Sequence, residues 1–134
     1  MNSIAEVRQV IFSTFKALHE ASYPAMPVSW PNFSTIDGEA LTGSFISVQL
    51  SFRGSGEAYD ITAAEDIIKG EVLISFLRPA GSGLTGSGAY ADMLRGSMCH
   101  KEISGITYFG CSILEVSPAP GIVGQMFVIP FQII

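Results

Sequence analysis

The first clear pattern along the chain is a stripe of apolar residues spaced at intervals of three and four, which is typical of one face of a helix. Ser3 and Glu6 precede the stripe as an S-x-x-E capping box, which satisfies free N–H groups at a helix start, and Tyr23-Pro24 ends the pattern because proline cannot continue a helix. The sequence therefore predicts an amphipathic helix over residues 3–21. The stripe consists of Ile4, Val7, Ile11, Phe15 and Leu18.

Two later segments alternate between apolar and polar positions with the period of a β-strand. In residues 45–53 the even positions are apolar and the odd positions include Ser47, Gln49 and Ser51, so this strand has one polar face. Residues 71–78 are apolar on both sides, which favours a central strand.

The C-terminal third of the chain predicts two more strands. Residues 106–116 form one strand with a possible bend at Gly110, and residues 117–121 form a firm turn rich in proline. In the last strand, residues 125–134, Pro130 lacks an N–H, so we expect this strand to lie at a sheet edge or to carry a bulge. Its apolar face consists of Phe127, Ile129, Phe131 and Ile133.

The segments between these elements are shorter and less regular. Residues 27–31 are flanked by prolines and predict a short strand or an edge segment. Residues 32–42 indicate a loop, residues 57–69 fit either a helical turn or a strand, and residues 79–88 form a loop rich in glycine and serine. Residues 89–98 predict a second helix, whose inward side consists of Tyr90, Met93 and Leu94.

The predicted order is α-β-β-β-α-β-β, and only one connection contains a convincing crossover helix. This order favours an α+β fold, with an antiparallel or mixed sheet of about five strands and two helices packed on one face. The chain has 134 residues and no internal repeat, which predicts a single domain over residues 1–134.

The composition suggests self-association. Charged residues make up 14% of the chain, against about 25% in ordinary soluble domains, and the mean hydropathy is +0.40. No apolar run approaches the ~18 residues of a spanning helix, and the N-terminus lacks a signal-peptide pattern. We therefore expect the surplus apolar surface to lie between subunits and not in a membrane.

Few residues suggest chemistry. The net charge is −5 and the seven basic residues are scattered, which argues against tight binding of nucleic acid. Cys99 and Cys111 are expected to be reduced, buried thiols, and His19 is expected to face solvent near the helix end. His19 and His100 are the only histidines, so no metal site, cofactor site or catalytic base is predicted.

One motif resembles a nucleotide-binding loop. Residues 81–86 read G-x-G-x-x-G, the pattern whose glycines admit a pyrophosphate at a helix start in dinucleotide-binding folds. Pro79 and Ala80 separate it from the preceding strand, and the following chain is too short for a doubly wound sheet. We interpret these residues as a glycine-rich loop, and the sequence as that of a non-enzymatic protein.

The layout of the chain resembles the tail terminator and tail-completion proteins of long-tailed bacteriophages. The resemblance covers most of the chain but not residues 57–69, and it rests on an opening helix, loose sequence motifs and the strand-to-glycine-loop junction. The motifs are Pro27–Asn32, Phe45–Phe52, Gly70–Ile74, Pro79–Gly83, Ala89–Leu94 and Val128–Phe131.

The resemblance implies a structural subunit that forms a hexameric ring. Such a ring caps the tail tube, ends its polymerisation and offers a surface to the head connector, while DNA passes through without specific binding. The implied partners are other copies of the chain, the tube protein and the connector, in the virion tail and in the host cytoplasm during assembly. Alternatives are another head–tail connector or minor tail protein, or a small-molecule-binding domain.

Two loops and one strand are the candidate assembly elements. Their composition predicts that loops 53–60 and 79–88 project and become ordered on contact with tube or connector, although solvated connections remain the alternative. The last strand would offer unpaired backbone groups to a neighbour. The candidate loop residues are Arg53, Glu57, Tyr59, Asp60, Gly81, Gly83, Leu84 and Gly86, and the candidate edge residues are Phe127, Ile129, Phe131 and Ile133.

Overall fold

The computed structural model describes residues 3–30, 44–53, 68–80 and 86–133. These residues form two helices and seven strands, and the fold class is α+β, as predicted. In chain order the elements are α1 (Ile4–Ser22), β1 (Val28–Ser29), β2 (Phe45–Arg53), β3 (Ile68–Pro79), α2 (Ser87–Ser97), β4 (Glu102–Ile103), β5 (Ile106–Tyr108), β6 (Ser112–Ala119) and β7 (Ile122–Ile133).

The α1 helix begins where the capping box predicts. The backbone N–H of Glu6 donates to the Ser3 hydroxyl at 3.1 Å, and the helix ends where the Tyr23 N–H donates to the carbonyl of His19. His19 is buried, with 3% of its surface exposed, so the expectation that it faces solvent is wrong. The reason is that the two ring nitrogens of His19 form hydrogen bonds with the Tyr90 hydroxyl and the Met26 carbonyl.

All seven strands belong to one mixed sheet in the order β1-β2-β3-β7-β5-β4, with β6 also paired to β7. β1 and β2 are parallel, and the other pairs are antiparallel. The sheet has two more strands than the five expected because the two-residue strand β4 was not predicted and because the predicted strand 106–116 is divided into β5 and β6. As predicted from its two apolar faces, β3 lies in the sheet interior, between β2 and β7.

The last strand is not an edge strand, so the edge alternative is wrong; the irregularity lies instead in the strand paired with Pro130. β7 pairs with β3 along its whole length and with β5 and β6 on its other side. The Phe109 N–H donates to the Pro130 carbonyl at 2.8 Å. The ring nitrogen of Pro130 faces the same side as that carbonyl, where residues 109–111 interrupt the partner strand. The register shifts there by one residue, from Tyr108↔Phe131 to Ser112↔Val128, so the missing N–H costs no ladder bond.

Both helices contribute to one apolar cluster with a single face of the sheet. Tyr90 of α2 contacts Phe76 and Phe127 of the sheet, with ring centroids 5.6 and 6.3 Å apart, and Arg8 of α1 lies over the Phe52 ring. The interior of this cluster comprises Val7, Ile11, Phe15, Ile46, Val48, Val72, Ile74, Phe76, Tyr90, Leu94, Tyr108, Phe127, Ile129 and Phe131. The predicted stripe of α1 therefore meets the even positions of β2 as expected, except that Ile4 is exposed.

Candidate assembly surface

One open edge of the sheet is β6, besides the terminal strands β1 and β4. This strand pairs with β7 from Ser112 to Val116 in continuous register, and no other strand in the described part of the chain pairs with its outer side. The edge arises because the bend at residues 109–111 directs the chain from β5 into β6 along the same neighbour. A strand edge of this kind presents N–H and C=O groups that another chain can pair with.

Exposed apolar side chains line this edge. Ile113 is 48% exposed and Leu114 is 51% exposed, and Phe109 at the bend is 40% exposed. Ile113 and Leu114 are successive residues of a strand, so they lie on opposite faces of the sheet. Ile113 lies across from the buried Phe127, and Leu114 lies across from Met126. The edge is therefore apolar on both faces.

Two of the usual protections against pairing, a charged residue and a proline, occur in β6, and both follow Leu114 as Glu115 and Pro118. Edge strands commonly carry lysines or inward-pointing charges that prevent association. In β6 the single charged residue is Glu115, whose carboxylate accepts a hydrogen bond from Gln125 of the neighbouring strand at 3.0 Å. The register changes again only beyond Val116, so five residues remain regular. The combination of regular backbone and apolar side chains suits strand addition.

The structure separates the residues that the sequence proposed for assembly. Phe127, Ile129, Phe131 and Ile133 are buried in β7 and are unavailable to a neighbour. Gly86 is the N-cap of α2, with a left-handed φ of 95° that favours glycine, so the predicted loop 79–88 ends earlier and the helix begins at Ser87. Arg53 ends β2 opposite Lys69. Glu57, Tyr59, Asp60, Gly81, Gly83 and Leu84 lie outside the described residues.

The sequence predicted a strand over residues 106–116, which includes β6, but it did not predict that this strand is an edge. Pro130 placed the expected edge at residues 125–134 instead. The adjacent pair Ile113-Leu114, followed by a proline turn, predicts a strand that is apolar on both faces. Such a pattern ordinarily indicates a central strand. Only the register of β3, β5 and β6 on β7 shows which strand is central and which is open.

A buried polar pair joins the two helices. The Nδ1 of His19 lies 2.8 Å from the Tyr90 hydroxyl, and its Nε2 lies 2.9 Å from the carbonyl of Met26. Because a carbonyl only accepts, Nε2 carries the proton and Tyr90 donates to Nδ1. Both ring nitrogens are therefore occupied, and the pair holds α1, α2 and the segment after α1 together. Burial raises the pKa of Tyr90, with a smaller contribution from Tyr23.

A small recess lies beside this pair. Its volume is about 200 Å³, and Lys16, Glu20 and Trp30 contribute to its walls with His19. Ligand pockets for drug-sized molecules usually occupy about 300 Å³ or more. The recess thus offers a weaker candidate site than the β6 edge.

The two cysteines are neighbours in the fold, which their separation in sequence did not predict. Cys99 is buried and Cys111 is partly exposed, and both are free. A hydrogen bond donated by Cys99 to the Cys111 sulfur and, to a smaller extent, the charge of Arg95 together lower the pKa of Cys111 to about 7 against the opposing effect of burial. The same bond and burial raise the pKa of Cys99. Cys111 therefore loses its proton before Cys99.

Two kinds of feature are absent from the described part of the chain. Within it, no three His, Cys, Asp or Glu side chains are grouped so that they would hold a metal ion. Neither of the two helices described is long and apolar enough to cross a membrane.

Comparisons with known proteins identify the fold but no family. No family model matches the chain, and no curated protein sequence is significantly similar to it. A solved structure whose name carries no functional information superposes on 98% of this chain and 96% of its own, with a TM-score of 0.71 and 15% sequence identity. At that identity the likeness concerns the fold alone.

Proposed function

We propose that this chain is a non-enzymatic structural subunit of a phage tail, which assembles as a ring that caps the tail tube and joins it to the head. The open, apolar edge of β6 carries the assembly part of the proposal. The phage assignment rests on the sequence resemblance from Pro27 to Phe131. The ring is placed in the virion tail, and its subunits assemble in the host cytoplasm.

The geometry of β6 constrains how subunits would pair. If the β6 edges of two copies paired with each other, they would form a closed two-fold dimer with no β6 edge free for a third copy. A ring requires that β6 of one subunit contact a different surface of the next. The surface charge fits passage of DNA without binding, because each copy has a formal charge of −5 and an acidic wall repels phosphate.

The test is the solution mass by light scattering over a range of protein concentrations, with electron images of the same samples. We expect closed rings for the natural chain. Leu114→Lys should weaken assembly at least about tenfold, because it places an unpaired charge in an apolar contact. Gln49→Lys is the matched control, since Gln49 is exposed on the same sheet face three strands away, and its assembly should be unchanged.

Three results would contradict the proposal. A monomer at every concentration would show that β6 does not assemble the chain. A dimer would indicate β6–β6 pairing. Normal rings of Leu114→Lys would show that the contact between subunits lies elsewhere. Incubation with isolated tails and with DNA-filled heads then separates the terminator from the connector alternative. Rings on the tails favour a terminator, and rings only on the heads favour a connector.

A further inference from the structure

Arg78, at the end of β3, is buried, and two of its three guanidinium nitrogens are unpaired within the described part of the chain. Its exposed fraction is 7%, and its Nε and Nη1 atoms have no hydrogen-bond partner among the described residues. A guanidinium is always charged in proteins. Removing an unpaired charge from water is costly, so a buried arginine normally faces a carboxylate or another anion.

The position of Arg78 places it beside the start of α2. Arg78 follows Phe76 on the same face of β3, about 7 Å farther along the strand. The Phe76 ring lies 3.5 Å from the position that a Cβ on Gly86 would occupy. The Ser87 hydroxyl donates to the side chain of Gln125 at 2.9 Å, and Gln125 lies directly across from Phe76. The first turn of α2 therefore covers the sheet next to Arg78.

The start of α2 is electropositive and has no acidic residue in its first turn. The first bond within the helix runs from the Tyr90 N–H to the Gly86 carbonyl, so the N–H groups of Gly88 and Ala89 have no acceptor within the helix. The N-cap is a glycine and provides no side-chain cap. The neighbouring carboxylate, Glu115, accepts from Gln125. Among the described residues, no acid lies in the first turn of the helix and none accepts a hydrogen bond from the Nε or Nη1 of Arg78.

We propose that Arg78 and the N-terminal turn of α2 bind a small tetrahedral oxyanion of the phosphate class. The guanidinium supplies a planar pair of donors, and the helix N-terminus supplies backbone N–H groups and its dipole. Donors from two directions suit a tetrahedral anion better than a flat carboxylate. The inference is independent of the proposed assembly function.

The test measures the thermal unfolding midpoint in phosphate, acetate and chloride at constant ionic strength, together with phosphorus NMR of the added phosphate. In the natural chain, the midpoint should rise and saturate as phosphate increases to about 20 mM, as for a ligand that binds only the folded state. The phosphate signal should broaden in the same range. Arg78→Met should abolish both effects while remaining at least as stable in chloride, because it removes an unpaired buried charge.

Arg95→Met is the control, since it removes an exposed arginine of α2 and should preserve the phosphate response. An equal response in Arg78→Met would assign the effect to general salt action and overturn the proposal. A stronger response to acetate than to phosphate would show that the site prefers a carboxylate to a tetrahedral anion, which would overturn the proposal. If phosphate has no effect and Arg78→Met is destabilised in chloride, the guanidinium has an internal partner and the site is refuted.

Discussion

At the scale of single residues, the buried polar groups carry the most information. His19 and Tyr90 satisfy each other, while the hydroxyl of the fully buried Tyr108 has no partner of acceptable geometry among the described residues. The side chain of Thr14 lies close enough to lower the pKa of Tyr108 slightly, but burial dominates and raises it to about 12. These two tyrosines should therefore respond differently to the loss of their hydroxyl groups.

The His19–Tyr90 bond predicts coupling between two substitutions. His19→Leu and Tyr90→Phe should each lower the free energy of unfolding by about 1–3 kcal/mol, because each leaves a buried polar group unpaired. The double variant should lose about 1 kcal/mol less than the sum of the single variants. Urea unfolding of all four proteins measures the coupling. Additive losses would show that the bond contributes nothing.

Tyr108 predicts a loss of stability at alkaline pH. Its pKa is raised in the folded state, so its contribution is complete below its unfolded value of about 10 and is lost as pH rises toward 12. Tyr108→Phe should unfold with an unchanged or slightly higher free energy at pH 8 and should lose about 1 kcal/mol less than the natural chain between pH 8 and pH 11. Parallel losses in both proteins would refute the assignment.

The cysteine pair predicts an unusual alkylation profile. Since the pKa of Cys111 is lowered to about 7, its alkylation by iodoacetamide should reach half its maximal rate near that pH and level off above it. Cys99→Ala removes the donated hydrogen bond, so the profile should move to higher pH. Mass spectrometry of the labelled peptides measures both profiles, and identical midpoints would exclude the bond.

At the scale of elements, close approach of β3 and β7 determines the centre of the sheet. Gly124 of β7 lies directly across from Leu77 of β3, and a Cβ on Gly124 would collide with the backbone carbonyl of Phe76. The backbone of a paired strand cannot move aside as a flexible side chain can. A side chain at Gly124 would therefore force the two central strands apart.

Gly124→Ala should lower the free energy of unfolding by at least about 2 kcal/mol, as overpacking against fixed atoms does. Gly96→Ala is the matched control, because a Cβ there meets nothing within 4 Å and helical alanine is favoured over glycine by about 0.5–1 kcal/mol. Thermal unfolding compares the two variants. Similar stability of both would contradict the close approach.

At the scale of the whole molecule, the low charge and the apolar β6 edge both favour association between copies of the chain. A chain with 14% charged residues has little repulsion to oppose contact between copies, and the net charge of −5 opposes it only over a distance that salt shortens. Assembly through apolar contacts should therefore strengthen with ionic strength, in contrast to assembly through ion pairs.

Raising NaCl from about 50 to about 500 mM, which shortens the screening length several-fold, should lower the concentration at which the natural chain assembles. Light scattering of a dilution series measures this concentration. Leu114→Lys should remain dissociated at both salt levels, since its defect is a buried charge and not long-range repulsion. Weaker assembly of the natural chain at high salt would indicate ion pairs at the interface.

Several features of the fold were determined locally and could be predicted. The capping box at Ser3, the apolar stripe of α1 and the alternation of β2 each depend on neighbours within a few residues. The sequence by itself determined these elements, the second helix, the central position of β3 and the α+β class. It did so because short-range periodicity records which face of an element is buried.

The positions that depend on register were decided only by the tertiary structure. Pro130 permits either an edge or a bulge, and the pairing of Phe109 with its carbonyl selected the bulge. The same choice buried Phe127 and left Ile113 and Leu114 at the open edge. Likewise the His19–Tyr90 bond and the Cys99–Cys111 contact join residues distant in sequence. No local pattern encodes such contacts, because they exist only once the strands have paired.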